Sequence, residues 1–215
     1  KASCKNIKNM ANTNDWSQTA QENFEFAKKT LQDEDGWKSK ATKDDIEIFE
    51  KEVEGTKINM FKGTAEVSGT PEKLSSSLWS LDEETMKQWD EKCLKWNAEE
   101  LADNVKLICQ ETKLPWPLWN RDLTHLWSKH EEGDDIWHVW RETEHPDHPE
   151  RPKEFVRAKV LLAAAVFKKA DDNKTTITRL VHVDPAGNVP SSFVNSQATN
   201  KVAGFISNLE KLASN

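Results

Sequence analysis

Residues 183–212 decide the fold of this chain and read VDPAGNVPSSFVNSQATNKVAGFISNLEKL. Asp184-Pro185-Ala186-Gly187 is typical of a turn, and Pro190 marks the start of a helix. Apolar residues then recur at helical spacing over about six turns. They are Val194, Ala198, Val202, Phe205, Ile206, Leu209 and Leu212. The stretch predicts a chain reversal followed by a long amphipathic helix that buries one face against the rest of the domain.

Upstream of this helix, the chain predicts a mostly antiparallel sheet with three further helices. Asp15 caps a first helix whose apolar stripe runs from Trp16 to Leu31, Thr70-Pro71 opens a second, and residues 82–89 form a third. Strand-like patterns fall at 46–53, 58–67, 103–110, 121–129, 134–144, 155–167 and 175–184. This segregated order is typical of an α+β domain. We expect one domain over residues 15–215, preceded by a loose polar segment at 1–14.

Composition narrows the classes of function. The formal net charge of −7 argues against a general nucleic-acid-binding protein. Ten Trp and no Tyr indicate a core, ligand pocket or interface rich in indole rings. Three cysteines, Cys4, Cys93 and Cys109, show no metal or redox spacing, which favours reduced thiols in a cytoplasmic protein. The chain begins at Lys1, so an N-terminal targeting segment stays an open alternative.

Enzyme and metal chemistry have weak support. His138, His145 and His148 suggest a metal or acid–base site, but neither an HExxH pattern nor paired cysteines accompany them. The sequence also lacks a GxSxG nucleophile turn. We therefore expect no catalytic residue, no metal and no cofactor, with a protein-interaction domain as the competing non-enzymatic interpretation.

Several short motifs together resemble those of the START (StAR-related lipid transfer) family. They are Gly36-Trp37, Gln88-Trp89-Asp90, Asn120-Arg121-Asp122, His145-Pro146 ahead of Val156-Arg157-Ala158, and residues 183–190, in the family's order and spacing. Residues 114–122 and 145–158 are most similar to the phosphatidylcholine-transfer branch. The resemblance implies a helix-grip fold, in which a curved antiparallel sheet wraps around the long C-terminal helix and encloses an internal lipid tunnel.

The resemblance also implies a function. We expect a monomeric carrier that holds one hydrophobic molecule, touches membranes transiently and does not bind nucleic acid. Its gate is the loop 113–120 together with the C-terminal helix. Trp116, Leu118 and Trp119 either enter the membrane interface or fold down as a lid. A lipid sensor or interaction domain without transfer activity is the alternative.

The polar contacts that select a ligand follow neither branch of the family. Members of the phosphatidylcholine branch hold the headgroup phosphate with an arginine four positions before the Asp of the Trp-Asp motif. Here that position is Met86, while Asp90 is retained. Sterol-type members place a buried acid and an arginine on adjacent strands, at positions that are Ile108 and Trp127 in this chain. A phospholipid, a sterol or a carotenoid therefore remains an open choice.

The remaining candidates concern the walls and mouth of the tunnel. We expect Trp127 to point inward, and at most one of Trp137 and Trp140, since they have opposite parity along a strand. Arg121, Asp122 and Arg157 form either a structural anchor or a headgroup contact. The full set of expected ligand-binding residues is Met86, Trp89, Asp90, Ile108, Arg121, Trp127, Trp137, Trp140, Val202, Phe205 and Ile206.

Overall fold

The computed structural model describes residues 15–214; the predicted loose segment 1–14, with Cys4, lies outside them. The helices are α1 Trp16–Gln32, α2 Pro71–Trp79, α3 Glu83–Trp89 and α4 Ser191–Ser214. The strands are β1 Lys38–Lys43, β2 Ile46–Lys51, β3 Met60–Ser68, β4 Cys93–Ala102, β5 Val105–Thr112, β6 Arg121–Glu132, β7 Asp135–Glu142, β8 Val156–Arg157, β9 Lys159–Asp171 and β10 Lys174–Asp184. Within these described residues, no helix is both long and apolar enough to cross a membrane.

The strands form one sheet in the order β1-β2-β3-β10-β9-β7-β6-β5-β4. Every pair in this path is antiparallel, and the two-residue β8 pairs in parallel with the start of β6. The central position of β9 fits its composition, because strands covered on both sides carry near-continuous apolar side chains, as residues 160–167 do. The predicted α+β helix-grip architecture is confirmed.

Helices cover both faces of the sheet, which are termed the inner and the outer face. The inner face packs against α2, α3 and α4 and includes Trp127, Trp140 and Phe167. The outer face packs against α1 and includes Leu126 and Leu162. Successive side chains along a strand point to opposite faces. Because helices cover both faces, each set of side chains is largely apolar, and no polar set marks a solvent-facing side.

The helix starts follow the predicted caps. The Asp15 carboxylate accepts a hydrogen bond of 3.0 Å from the Gln18 amide. The Thr70 hydroxyl accepts one of 3.3 Å from the Lys73 amide ahead of α2. These side chains satisfy amide groups that have no partner within the first helical turn.

Two strands that the sequence did not predict, β1 and β4, lie at the opposite edges of the sheet. The six residues of β1 are mostly exposed, and β4 buries only Cys93 and Trp96. Edge strands that face solvent lack the apolar alternation on which strand prediction depends. The predicted strand 155–167 is in fact split, with β8 pairing to β6 before β9 begins.

Candidate functional site

The loop 113–120 joins β5 to β6 and projects aromatic side chains into solvent. Trp116 is 92% exposed and Trp119 is 55% exposed, whereas Leu118 is half-buried. A hydrogen bond of 3.0 Å from the Leu118 amide to the Pro115 carbonyl closes a turn at the tip. Trp116 is thus almost fully in contact with solvent, and Trp119 is about half covered by protein.

Arg121 lies at the base of this loop and is only 4% exposed. Its guanidinium donates to the carbonyls of Trp119, Pro185 and Ala186, the last at 3.0 Å. Each of its three nitrogens therefore donates to backbone. This placement corresponds to the structural-anchor alternative: Arg121 joins the loop 113–120 to the turn that leads into α4.

Asp122 and Arg157 form a two-pronged ion pair on the outer face. The Arg157 Nε lies 3.1 Å from one carboxylate oxygen of Asp122, and its Nη2 lies 2.9 Å from the other. The same guanidinium donates to the carbonyls of His148 and Pro149. The pair corresponds to the structural-anchor interpretation, because it lies on the face that packs away from α4.

Aromatic rings dominate the inner face. Trp127 is 1% exposed and stacks on Trp140, with ring centroids 5.4 Å apart. Trp79 of α2 meets Trp127 edge-on at 4.8 Å, and Phe205 of α4 meets Trp140 edge-on at 6.2 Å. Trp127 thus lies in the apolar cluster between the inner face and α4, and its contact with a ligand stays a prediction.

Trp137 does not face this interior, which corrects its place among the expected ligand-binding residues. It packs edge-on against Phe24 of α1, with ring centroids 5.5 Å apart. The reason is the strand period of two: on β7, Trp140 and His138 share the inner face, so Trp137 must point outward.

His138 is a buried structural residue on the inner face. The Trp127 indole N–H donates to its Nδ1 at 3.0 Å, and its Nε2 lies 2.7 Å from the Ser75 hydroxyl. Since an indole only donates, the ring proton belongs on Nε2, and burial holds the pKa of His138 well below its ordinary value. Across residues 15–214, no group of three His, Cys, Asp or Glu side chains is arranged to hold a metal ion.

Asp90, another of the expected ligand-binding residues, contacts α4. Its carboxylate accepts from the Lys201 ammonium at 2.5 Å and from the Lys92 amide at 3.1 Å. Burial by itself raises the pKa of Asp90, but Lys201 outweighs it, so the pKa lies below its ordinary value. Asp90 therefore links the end of α3 to α4.

Most of the other expected residues lie in the apolar cluster between the inner face and α4, and their contact with a ligand stays a prediction. Ile108, Val202 and Ile206 are buried in the cluster between the inner face and α4. Met86, Trp89 and Phe205 are half-buried against the same cluster. The structure thus brings together apolar side chains from β5, α3 and α4, as the resemblance implied.

The sequence analysis missed Arg179, which lies on the inner face of β10. Its guanidinium carbon lies 4.7 Å from the ring centroid of Trp140 and 4.1 Å from that of Phe205. Burial lowers its pKa to about 9. The signal was available: Ile177, Arg179 and Val181 alternate on one face of the strand, so the arginine shares a row with core residues.

Comparison with known proteins identifies relatives along nearly the whole chain. A family model for the START domain matches residues 17–213. StAR-related lipid transfer protein 5 of Bos taurus is 28% identical over 208 residues, covering 92% of this chain and 96% of that protein. START domain-containing protein 10 of Mus musculus is 25% identical over 181 residues, covering 82% of this chain but only 61% of that protein. This chain therefore spans less than two thirds of the second relative.

Solved structures share the fold. The crystal structure of human STARD10 superposes with a TM-score of 0.74 at 23% identity, covering 95% of this chain and 80% of that one. Human StAR-related lipid transfer protein 5 superposes with a TM-score of 0.78 at 21% identity, covering 92% and 96%. Because the family model extends from α1 to the last turn of α4, this chain belongs to the START domain family, as its motifs predicted.

Proposed function

We propose that this protein binds one hydrophobic ligand between the inner face and α4 and carries it between membranes. One observation carries the proposal: the exposed Trp116 tip belongs to a loop that Arg121 ties to the turn before α4. Membership of the START family supports it, as does the relative that is named a lipid transfer protein.

The energetics of such a ligand explain why a gate is needed. Burial of each methylene stabilises the complex by about 0.8 kcal/mol, so a sixteen-carbon chain gains about 13 kcal/mol on leaving water. Release into solvent at that cost is too slow to be useful. A carrier must therefore contact a membrane and open there.

The gate we propose consists of the loop 113–120 and the start of α4. Trp is favoured at the membrane interface, because its ring is apolar and its N–H is polar. Trp116 and Trp119 expose this type of surface at the loop tip. Arg121 contacts both the loop and the 184–187 turn, so displacement of the loop on a membrane is coupled to displacement of the helix entrance.

The interior suits a ligand with flat or extended apolar parts. The stacked rings of Trp127 and Trp140 form a planar wall, and Phe205 closes it from α4. Aromatic walls of this kind accept a sterol, a carotenoid or an acyl chain of a phospholipid. We propose carriage rather than catalysis, because both ring nitrogens of the buried His138 already contact protein partners.

A transfer assay tests the proposal. Donor vesicles would contain fluorescent phosphatidylcholine, a fluorescent sterol or β-carotene, and the rate of transfer to acceptor vesicles would be measured. Native mass spectrometry of the protein would give the number of molecules bound per chain. We expect one molecule per chain, and Trp116→Ala should slow transfer about tenfold with unchanged stoichiometry, since about 1.4 kcal/mol of interfacial binding is a factor of ten. Phe26→Ala is the matched control, because Phe26 is an exposed aromatic residue on α1.

Different failures of this assay have different meanings. Stoichiometric binding with transfer that Trp116→Ala leaves unchanged contradicts the proposed gate. Binding with no transfer supports a lipid sensor. Failure to bind any of the three probes contradicts the carrier and leaves a protein-interaction domain as the better interpretation.

A further inference from the structure

Arg179 is a charged side chain on the inner face, held between the aromatic rings of Trp140 and Phe205. Within residues 15–214 no carboxylate pairs with its guanidinium, and its Nε–H is buried without a hydrogen-bond acceptor. The structure gives it one hydrogen bond, from Nη1 to the Ala164 carbonyl at 3.3 Å. Arg179 as a whole is half-buried. A charge withdrawn from water without an acidic partner is still costly, so its presence needs an explanation.

The surroundings hold this guanidinium in place. Arg179 pairs with Ala165 across the β9–β10 ladder, and Ala163 pairs with Trp140 across the β7–β9 ladder. The two small alanines leave room for the arginine side chain to cross β9 and reach the Trp140 ring. Phe205 of α4 contacts the guanidinium as well, so its orientation is fixed between two aromatic rings.

Two more polar groups on the inner face lack partners. The Nε1 of Trp96 and the Nδ1 of His125 are buried without a hydrogen bond among the described residues. The two rings lie 6.5 Å apart, and the charge of Arg179 reaches His125 strongly enough to help depress its pKa. An indole N–H can only donate, and the guanidinium can only donate. The interior therefore offers hydrogen-bond donors and positive charge to whatever it encloses.

We infer that Arg179 binds an anionic oxygen group, a carboxylate or a phosphate, on the lipid held between the inner face and α4. The inference rests on the proposed function, since it names the ligand chemistry of the same interior. The planar fork of a guanidinium matches both oxyanions, and a charge-assisted bond made away from water is stronger than a neutral one. The aromatic rings bind the apolar part of the ligand, and Arg179 fixes its polar end.

Matched pairs of probes test the inference. Oleate is compared with oleyl alcohol, and dioleoylphosphatidate with dioleoylglycerol, by titration and native mass spectrometry. We expect the wild type to prefer at least one anion over its uncharged analogue by about 10- to 100-fold. Arg179→Met should abolish that preference and leave binding of the uncharged analogue unchanged. Arg141→Met is the control, because Arg141 also stacks on a phenylalanine, Phe26, but next to α1.

Each pattern of binding among the four probes has a different meaning. A preference for oleate alone identifies a fatty-acid carboxylate, and a preference for phosphatidate alone identifies a phospholipid; both support the inference. Equal binding of charged and uncharged probes overturns it while the carrier proposal stands. Failure of all four probes to bind contradicts both. If Arg179→Met does not fold, Arg179→Lys replaces it, since it keeps the charge without the fork and should retain only part of the preference.

Discussion

The two faces of the sheet bury polar side chains in different ways. On the outer face, Asp122 is paired with Arg157, and His182 lies 3.1 Å from the carbonyl of Ile58. On the inner face, Arg179 and His125 each keep a buried nitrogen without a partner among the described residues, whereas His138 is paired at both ring nitrogens. Two titratable side chains of the inner face are thus left incompletely paired, and the two outer-face groups named above are not.

This difference agrees with the proposal that the inner face binds a ligand while the outer face only packs. A face that only packs gains from complete pairing, because every buried unpaired polar atom lowers the stability of the fold. A face that receives a ligand keeps donors available for it. Trp137 is the exception on the outer face, since its indole N–H also lacks a partner. The exception is a neutral group, for which the cost is smaller than for a charge.

Removal of the two arginines should give the largest contrast between the faces. Arg157→Met leaves the buried carboxylate of Asp122 without its two-pronged partner, and we expect the free energy of unfolding to fall by about 3 kcal/mol. Arg179→Met breaks no ion pair and removes a buried charge, so the change should stay within about 1 kcal/mol or be stabilising. Urea denaturation of the two variants measures both. Equal losses would show that Arg179 has a structural role after all.

The pH dependence of stability tests whether His125 on the inner face is buried in its neutral form. Burial, aided by Arg179, lowers the pKa of His125 from 6.5 to about 3. Between these values the unfolded chain binds a proton that the folded protein excludes, so stability falls as the pH falls below 6.5, by about 1.4 kcal/mol per unit. From pH 7 to pH 5 the wild type should lose about 2 kcal/mol more than His125→Phe. The same pH dependence in the two proteins would contradict this assignment.

Trp127 on the inner face and Trp137 on the outer face allow a closely matched comparison, with the smallest expected difference in stability. Trp127→Phe and Trp137→Phe remove the same indole atoms, but only Trp127 donates a hydrogen bond, at 3.0 Å to His138. We expect Trp127→Phe to be more destabilising by about 1 kcal/mol, because it leaves a buried nitrogen of His138 without its donor. Thermal and urea unfolding of both variants provide the measurement. A larger loss for Trp137→Phe would mean that packing on α1 outweighs hydrogen bonding on the inner face.

Local sequence determined the helices and their order. The caps at Asp15 and Thr70 and the 3.6-residue period of α1 and α4 need only neighbouring residues, and all are seen in the structure. The strand period of two likewise required Trp137 and Trp140 to lie on opposite faces. Short motifs were sufficient to indicate the START family, because their order along the chain is independent of any contact.

Only the tertiary structure decided which face each residue belongs to and with what it pairs. Both faces of the sheet are covered by helices, so apolar alternation cannot distinguish the side facing α4 from the side facing α1. The edge strands β1 and β4 lacked any alternation. Arg121 and Arg179 are both arginines on strands; Arg121 contacts three carbonyls, while Arg179 has no acidic partner among residues 15–214. Pairing depends on residues distant in sequence, and this is why the sequence alone predicted the helix-grip fold correctly but missed the arginine on its inner face.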